Sequence, residues 1–155
     1  GINTLGIGMA EGIGFAIPAD TVRRIVADLI SVGYVRHPFL GTRTAALADL
    51  PGLADALGIR TGDTGLLVIS VQADSPAARG GIRGAAREVI IGNSRIPAGG
   101  DVILSIEGRA VNSAQDLSSA IDRHKPGDKI TVTVLRGGSK IDLPVLLQEA
   151  PPPGR

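Results

Sequence analysis

The sequence predicts a mainly β fold with short helices (α+β): a partly open barrel or sandwich of strands, capped by two helices and preceded by a linker helix. Three observations lead there. Between residues 36 and 148, apolar runs of strand length recur between clusters of Gly, Pro, Asn and Asp. The segments there that start like helices, at Ser75 and Ser113, are short and do not alternate with strands as in a βαβ fold. Apolar residues make up 43% of the 155, enough for a packed core.

Taken in order, residues 2–17 read as two short strands, with Ile13, Phe15 and Ile17 alternating with Gly and Ala until Pro18 ends the second. Such a pair has too little surface to fold alone. It is expected to belong to another domain, and the absence of an initiator Met points to a piece of a longer precursor. Asp20 has the chemistry of a helix cap, and Val22, Ile25, Val26, Leu29 and Ile30 follow at helical spacing up to Gly33. The domain boundaries read 1–18, 19–35 for the linker helix, 36–148 for the main domain and 149–155 for a disordered Pro-rich tail.

Within the main domain, Phe39 to Thr42 opens a short strand, and Leu47 to Leu57 reads as a brief helix or irregular turn. Gly65 to Val71 is a strand apolar enough to be buried on both faces. Ser75-Pro76 supplies the cap and first-turn proline of a short helix. Asp101 to Ile106 is a strand, Glu107-Gly108 a turn, and Ser113 caps a helix to about Arg123. Lys125 to Asp128 turns the chain into a hairpin of 130–135 and 140–147 around Gly137-Gly138. There is no internal repeat.

Composition excludes several functions. With no Cys, there are no disulfides, zinc-thiolate sites or Cys nucleophile. Aromatics at 2% and a net charge of +1 offer neither stacking platforms nor a basic surface, so no nucleic-acid partner is expected. His37 and His124 lack nearby ligands of metal-site spacing, so no metal or cofactor is expected. His37 reads as an exposed loop residue and His124 as the end of a helix. Gly92-Asn93-Ser94 superficially resembles a protease nucleophile loop. The following Arg95-Ile96-Pro97 spoils an oxyanion hole, since proline has no N–H, and the segment reads as a loop. Gly6-Ile7-Gly8 lacks the further glycine of a dinucleotide site.

One constellation suggests binding. Gly41 lets the backbone bend after Phe39-Leu40, and backbone N–H groups turned inward there can hold a carboxylate. Leu117 and Ile121, four apart, share a helix face. If that helix lies beside the strand after Gly41, a peptide can add as a strand along residues 42–44, with its last side chain among Leu40, Thr42, Leu117 and Ile121. The candidate peptide-binding residues are therefore Phe39, Leu40, Gly41, Thr42, Arg43 and Thr44 on one side and Leu117, Ser118 and Ile121 on the other. The same pattern fits a plain alternative, in which Leu117 and Ile121 are core and Gly41 is a turn glycine.

Four stretches resemble, in order, a PDZ domain of the HtrA (Deg) family of trypsin-like serine proteases. Phe39-Leu40-Gly41-Thr42 falls where that family has its carboxylate-binding loop. Gly65 to Val68, followed by Asp74-Ser75-Pro76-Ala77-Ala78 and Gly81-Ile82, resembles its strand and helix. Gly100 to Leu104 with Glu107-Gly108 and Val111, and Lys125 to Asp128 with Arg136-Gly137-Gly138, are similar to its later motifs. Gly1-Ile2-Asn3-Thr4 and Gly12 to Pro18 resemble the last strands of the protease domain, whose nucleophile lies upstream.

The resemblance implies a non-catalytic fragment of a serine endopeptidase, without the triad. Its PDZ domain would bind C-terminal peptides or unfolded segments to deliver substrates or regulate the protease. Further partners would be the parent protease domain and other copies of itself in a homo-oligomer, in a periplasmic, membrane-anchored or extracellular setting. An assembly module with a vestigial groove is the alternative, and a stand-alone enzyme a third reading. Two departures stand out. Thr42 replaces an aliphatic residue, and residues 84–99 form an insertion, with an extra hairpin expected around Gly92-Asn93.

Overall fold

The computed structural model describes residues 2–6, 14–17, 19–49, 64–91 and 93–151. The chain divides into two units, Gly1–Arg36 and His37–Arg155. In the first, strands β1 (Ile2–Gly6) and β2 (Gly14–Ile17) pair antiparallel, with a bulge between Asn3 and Leu5. Helix α1 runs Ala19–Val32. Asp20 therefore sits inside its first turn rather than at its cap. The stop at Pro18 lies outside the described residues.

The second unit is built on a six-stranded antiparallel sheet. Its order is β11 (Ser139–Leu146), β10 (Lys129–Arg136), β8 (Val102–Ile106), β5 (Leu66–Val71) and β4 (Thr42–Ala46), with β9 (Arg109–Ala110) paired to β8. Outside the sheet, β3 (Pro38–Phe39) pairs with β12 (Gln148–Glu149), and β6 (Arg87–Ile91) with β7 (Ser94–Ala98). The first pairing, with the Ala150 N–H on the His37 carbonyl at 2.8 Å, carries paired backbone to Ala150, beyond the expected boundary at 148. A 3-10 turn covers Leu47–Asp49, and the remainder of the expected Leu47–Leu57 element lies outside the described residues.

Side-chain alternation along β5 sends neighbouring residues to opposite faces. Leu66 and Val68 join a core with Ile103, Ile106, Val132 and Val134, covered by Ala77 of α2 (Pro76–Arg79) and by Leu117, Ala120 and Ile121 of α3 (Ala114–Ile121). Leu67 joins a second cluster with Leu47, Val102 and Leu135. Ile96 of the β6–β7 hairpin is buried in that cluster, with Val89 packed against it. The expected hairpin of residues 84–99 thus covers the face of the sheet that the helices leave free. This is why β5 is apolar at every position from Leu66 to Val68.

Ser113 caps α3 through a reciprocal capping box. Its hydroxyl accepts the Asp116 N–H at 3.1 Å, and the Asp116 carboxylate accepts the Ser113 N–H at 3.0 Å. The Asn112 N–H also reaches that carboxylate at 3.1 Å, and this bond, more than the one to Ser113, holds the Asp116 pKa below the ordinary carboxylate value. The helix ends at Ile121, short of Arg123, and the His124 N–H closes onto the Ile121 carbonyl at 2.9 Å.

Candidate functional site

Between β4 and α3 lies an open cleft of about 320 Å³. Phe39, Leu40, Gly41, Thr42, Leu117, Ser118 and Ile121 line it, together with His37, Pro38 and Asp122. The two sequence stretches singled out as candidates are therefore brought face to face.

The bend at residues 40–42 has a definite polarity. The Leu40 carbonyl accepts the Ala77 N–H and the Gly41 carbonyl accepts the Gln72 N–H, each at 2.9 Å. Described peptide bonds are all trans, and a trans peptide points its N–H opposite to its C=O. Anchoring both carbonyls on the α2 side therefore turns the Gly41 and Thr42 N–H groups the other way, toward the cleft. Two adjacent donors of this kind form an anion-binding concavity.

Gly41 is required twice over. Its φ of +83° belongs to the left-handed region that side chains resist. A Cβ there would also lie 2.3 Å from the Ser75 Cβ.

Strand β4 is an edge of the sheet, and only part of its backbone is engaged. The Gln72-to-Gly41 and Leu47-to-Gly65 bonds, with the register Arg43↔Ser70 and Ala45↔Leu67, place Arg43 and Ala45 toward β5. The N–H and C=O of Thr42 and Thr44 then point away from the sheet. These two residues, and not Arg43, turn their backbone to the open edge; the Arg43 side chain is exposed and lies outside the cleft. Thr44 also lies outside the cleft lining but contributes its edge backbone.

Leu117 and Ile121 belong to the core and also line the cleft. Each is 7% exposed and packed in the main core, yet each offers its remaining surface to the cleft. His37, Pro38 and Asp122 were missed as lining residues. Their sequence signal is only that they flank the chosen stretches, His37 and Pro38 before Phe39 and Asp122 after Ile121. Leu40, at 3% exposure, is also chiefly a core residue.

A half-buried ion pair braces the segment that follows α2. Asp101 is 1% exposed, and Arg136 meets it with a two-pronged contact, Nε to Oδ1 and Nη2 to Oδ2, each at 2.7 Å. Arg136 Nη2 also donates to the Gly81 carbonyl at 2.6 Å, and the Arg83 N–H donates to Asp101 Oδ2 at 2.8 Å. The hydrogen bond to Asp101 raises the Arg136 pKa and keeps the guanidinium charged. The pair fixes the segment that leaves α2.

Comparison with known proteins agrees with this architecture. The family model described as a PDZ domain matches residues 38–147. "Protease Do-like 1, chloroplastic" of Arabidopsis thaliana is 36% identical over 144 residues, which is 93% of this chain and 30% of that protein. A "Probable periplasmic serine endoprotease DegP-like" of Bartonella henselae is 31% identical over 144 residues, 90% of this chain and 24% of that protein. The solved "HtrA-type protease AlgW with decapeptide" superposes with a TM-score of 0.63 at 34% identity, covering 98% of this chain and 42% of that one. The chain spans about 30% of the length of the first curated relatives it matches.

Proposed function

This chain belongs to the PDZ domain family, and from that premise we propose that its main domain captures the C-terminal end of another polypeptide for an HtrA-like serine endopeptidase. One observation carries the reading. Both carbonyls at Leu40 and Gly41 are taken by Ala77 and Gln72, which leaves the Gly41 and Thr42 N–H groups at the mouth of an apolar cleft.

A terminal carboxylate accepts those two donors. The ligand backbone pairs with Thr42 and Thr44, and its last side chain enters between Leu40 and the α3 residues Leu117 and Ile121. Burial of that side chain contributes about 1.5–3 kcal/mol. Each net backbone hydrogen bond adds about 0.5–1.5 kcal/mol. Ordering costs offset part of this, so affinity near the micromolar range is expected. Such weak binding suits delivery of unfolded chains to a protease, or adjustment of its activity, because the ligand must be released.

Residues 1–18 are read as the end of that protease domain and 19–35 as its linker. The peptide in the AlgW structure and the serine-protease names of the relatives support this reading, and the periplasmic relative favours a cell-envelope setting. The test is calorimetric titration with a peptide ending in valine and with its C-terminal amide. The free acid is expected to bind and the amide to bind far more weakly. Ser118→Trp, placed on an exposed position of the cleft wall, is expected to block both. Equal binding of acid and amide would remove the carboxylate from the reading. A C-terminal peptide library that selects nothing would favour an assembly role with a vestigial groove.

A further inference from the structure

We infer that Ser75, which does not line the cleft, is a positioning residue for ligand binding. This rests on the carboxylate reading given above. The first turn of α2 supplies few backbone donors, and each has a defined use. Pro76 has no N–H. The Ala77 N–H holds the Leu40 carbonyl at 2.9 Å. The Ala78 N–H is taken by the Ser75 hydroxyl at 3.2 Å. Capping by Ser75 thus fixes the turn in the orientation that aims Ala77 at Leu40.

The same residue holds the loop sterically. Ser75 is 3% exposed, and its Cβ lies 2.3 Å from where a Gly41 Cβ would stand, so its side chain packs directly beneath the Gly41 backbone. Its own N–H reaches the Gln72 carbonyl at 3.3 Å, next to the Gln72 N–H that holds Gly41. Ser75 therefore touches both supports that rotate the 40–42 peptides. Further along, Arg136 on the Gly81 carbonyl and Asp101 on the Arg83 N–H tether the segment that follows α2. The Ser75-Pro76-Ala77-Ala78 motif thus acts as the mount of the anion-binding bend, and its place in the sequence, well after the bend it serves, hides that role.

The test is Ser75→Ala in the full 155-residue chain. It keeps the Cβ and removes only the hydroxyl. Affinity is measured for the valine-ending peptide as free acid and as amide, in wild type and variant. Loss of a cap is worth about fivefold in an equilibrium constant. The expected result is an acid-to-amide preference reduced by about fivefold, with amide binding unchanged. General loosening of the fold would weaken both ligands alike and leave the ratio unmoved. An unchanged ratio in Ser75→Ala, beside a clear preference in wild type, overturns the positioning role and leaves the carboxylate reading intact. No preference in wild type overturns both. As a second measurement, the amide NMR resonances of Gly41 and Thr42 are expected to shift in the unliganded variant more than those of β10. If they stay in place, the mount is not Ser75.

Discussion

At one end of the sheet β11 presents Lys140, Asp142 and Pro144; at the other, β4 presents Thr42, Thr44 and Ala46. Both are edge strands of one sheet, but they treat an approaching chain differently. The β10–β11 hairpin closes on Gly137 and Gly138 at φ +55° and +82°, a type I′ turn, so Arg136 and Ser139 form a hydrogen-bonded pair. Alternation from that pair leaves Thr131↔Pro144 non-bonded, with the Pro144 nitrogen facing outward. Proline thus removes a donor from the open side without harming the sheet. Gly80 also approaches there, since a Cβ on it would lie 3.3 Å from the Pro144 carbonyl oxygen. The β4 edge has no proline and no charge at its outward positions, and it borders the cleft. The difference teaches that one edge carries a guard against added strands and the other does not, which is what the proposed strand addition needs.

The largest test destroys the receptive edge. Gly41→Ala forces a side chain into the left-handed region and against Ser75, and two hydrogen bonds to a carboxylate are lost with the bend. Peptide affinity is expected to fall on the order of a hundredfold, with stability reduced by about 1–3 kcal/mol, read by titration and urea unfolding. A smaller effect comes from moving the guard across the sheet. In Thr44→Pro the lost N–H faces outward, so affinity should fall about threefold to tenfold while the unfolding midpoint moves little. A large loss of stability instead would show that the Thr44 N–H serves the fold.

The converse change, Pro144→Thr, restores an outward donor on β11. Peptide binding should be unchanged, and concentration-dependent self-association should appear in sedimentation. If peptide affinity changes, the two edges are coupled. The smallest effect concerns the helix that walls the cleft. Asp116 is held below its ordinary value of 3.8 first by the Asn112 N–H and then by its hydrogen bonds with Ser113. A depressed folded-state pKa adds stability above the unfolded value, and that stability is lost as pH falls through the folded one. The stability gap between wild type and Asp116→Ala should thus be full at neutral pH and close below pH 3.8.

Much of this was legible in the residues because it is local. Ser75-Pro76 and Ser113 announce their helices through capping, Gly137-Gly138 announces its hairpin because two glycines readily take the positive φ of a two-residue turn, and the apolar run of β5 announces burial on both faces. Less legible were boundaries and directions. Asp20 lies within α1 rather than at its cap, and paired backbone continues to Ala150 because β12 returns to β3, a contact more than a hundred residues distant in sequence. For the hairpin of residues 84–99, local signals showed a turn but not the face of the sheet that Ile96 would cover.

By itself the sequence determined most of the elements, the glycine at the bend and the apolar flank of α3, since capping, φ preference and periodicity act over a few residues. Tertiary structure alone decided that the flank faces the bend, that Leu117 and Ile121 serve core and cleft together, and that Thr42 and Thr44, not Arg43, stand on the open edge. The reason is hydrogen-bond register. Which N–H a strand leaves free depends on the partner its neighbours find, and for β4 that partner, β5, lies beyond a long intervening segment.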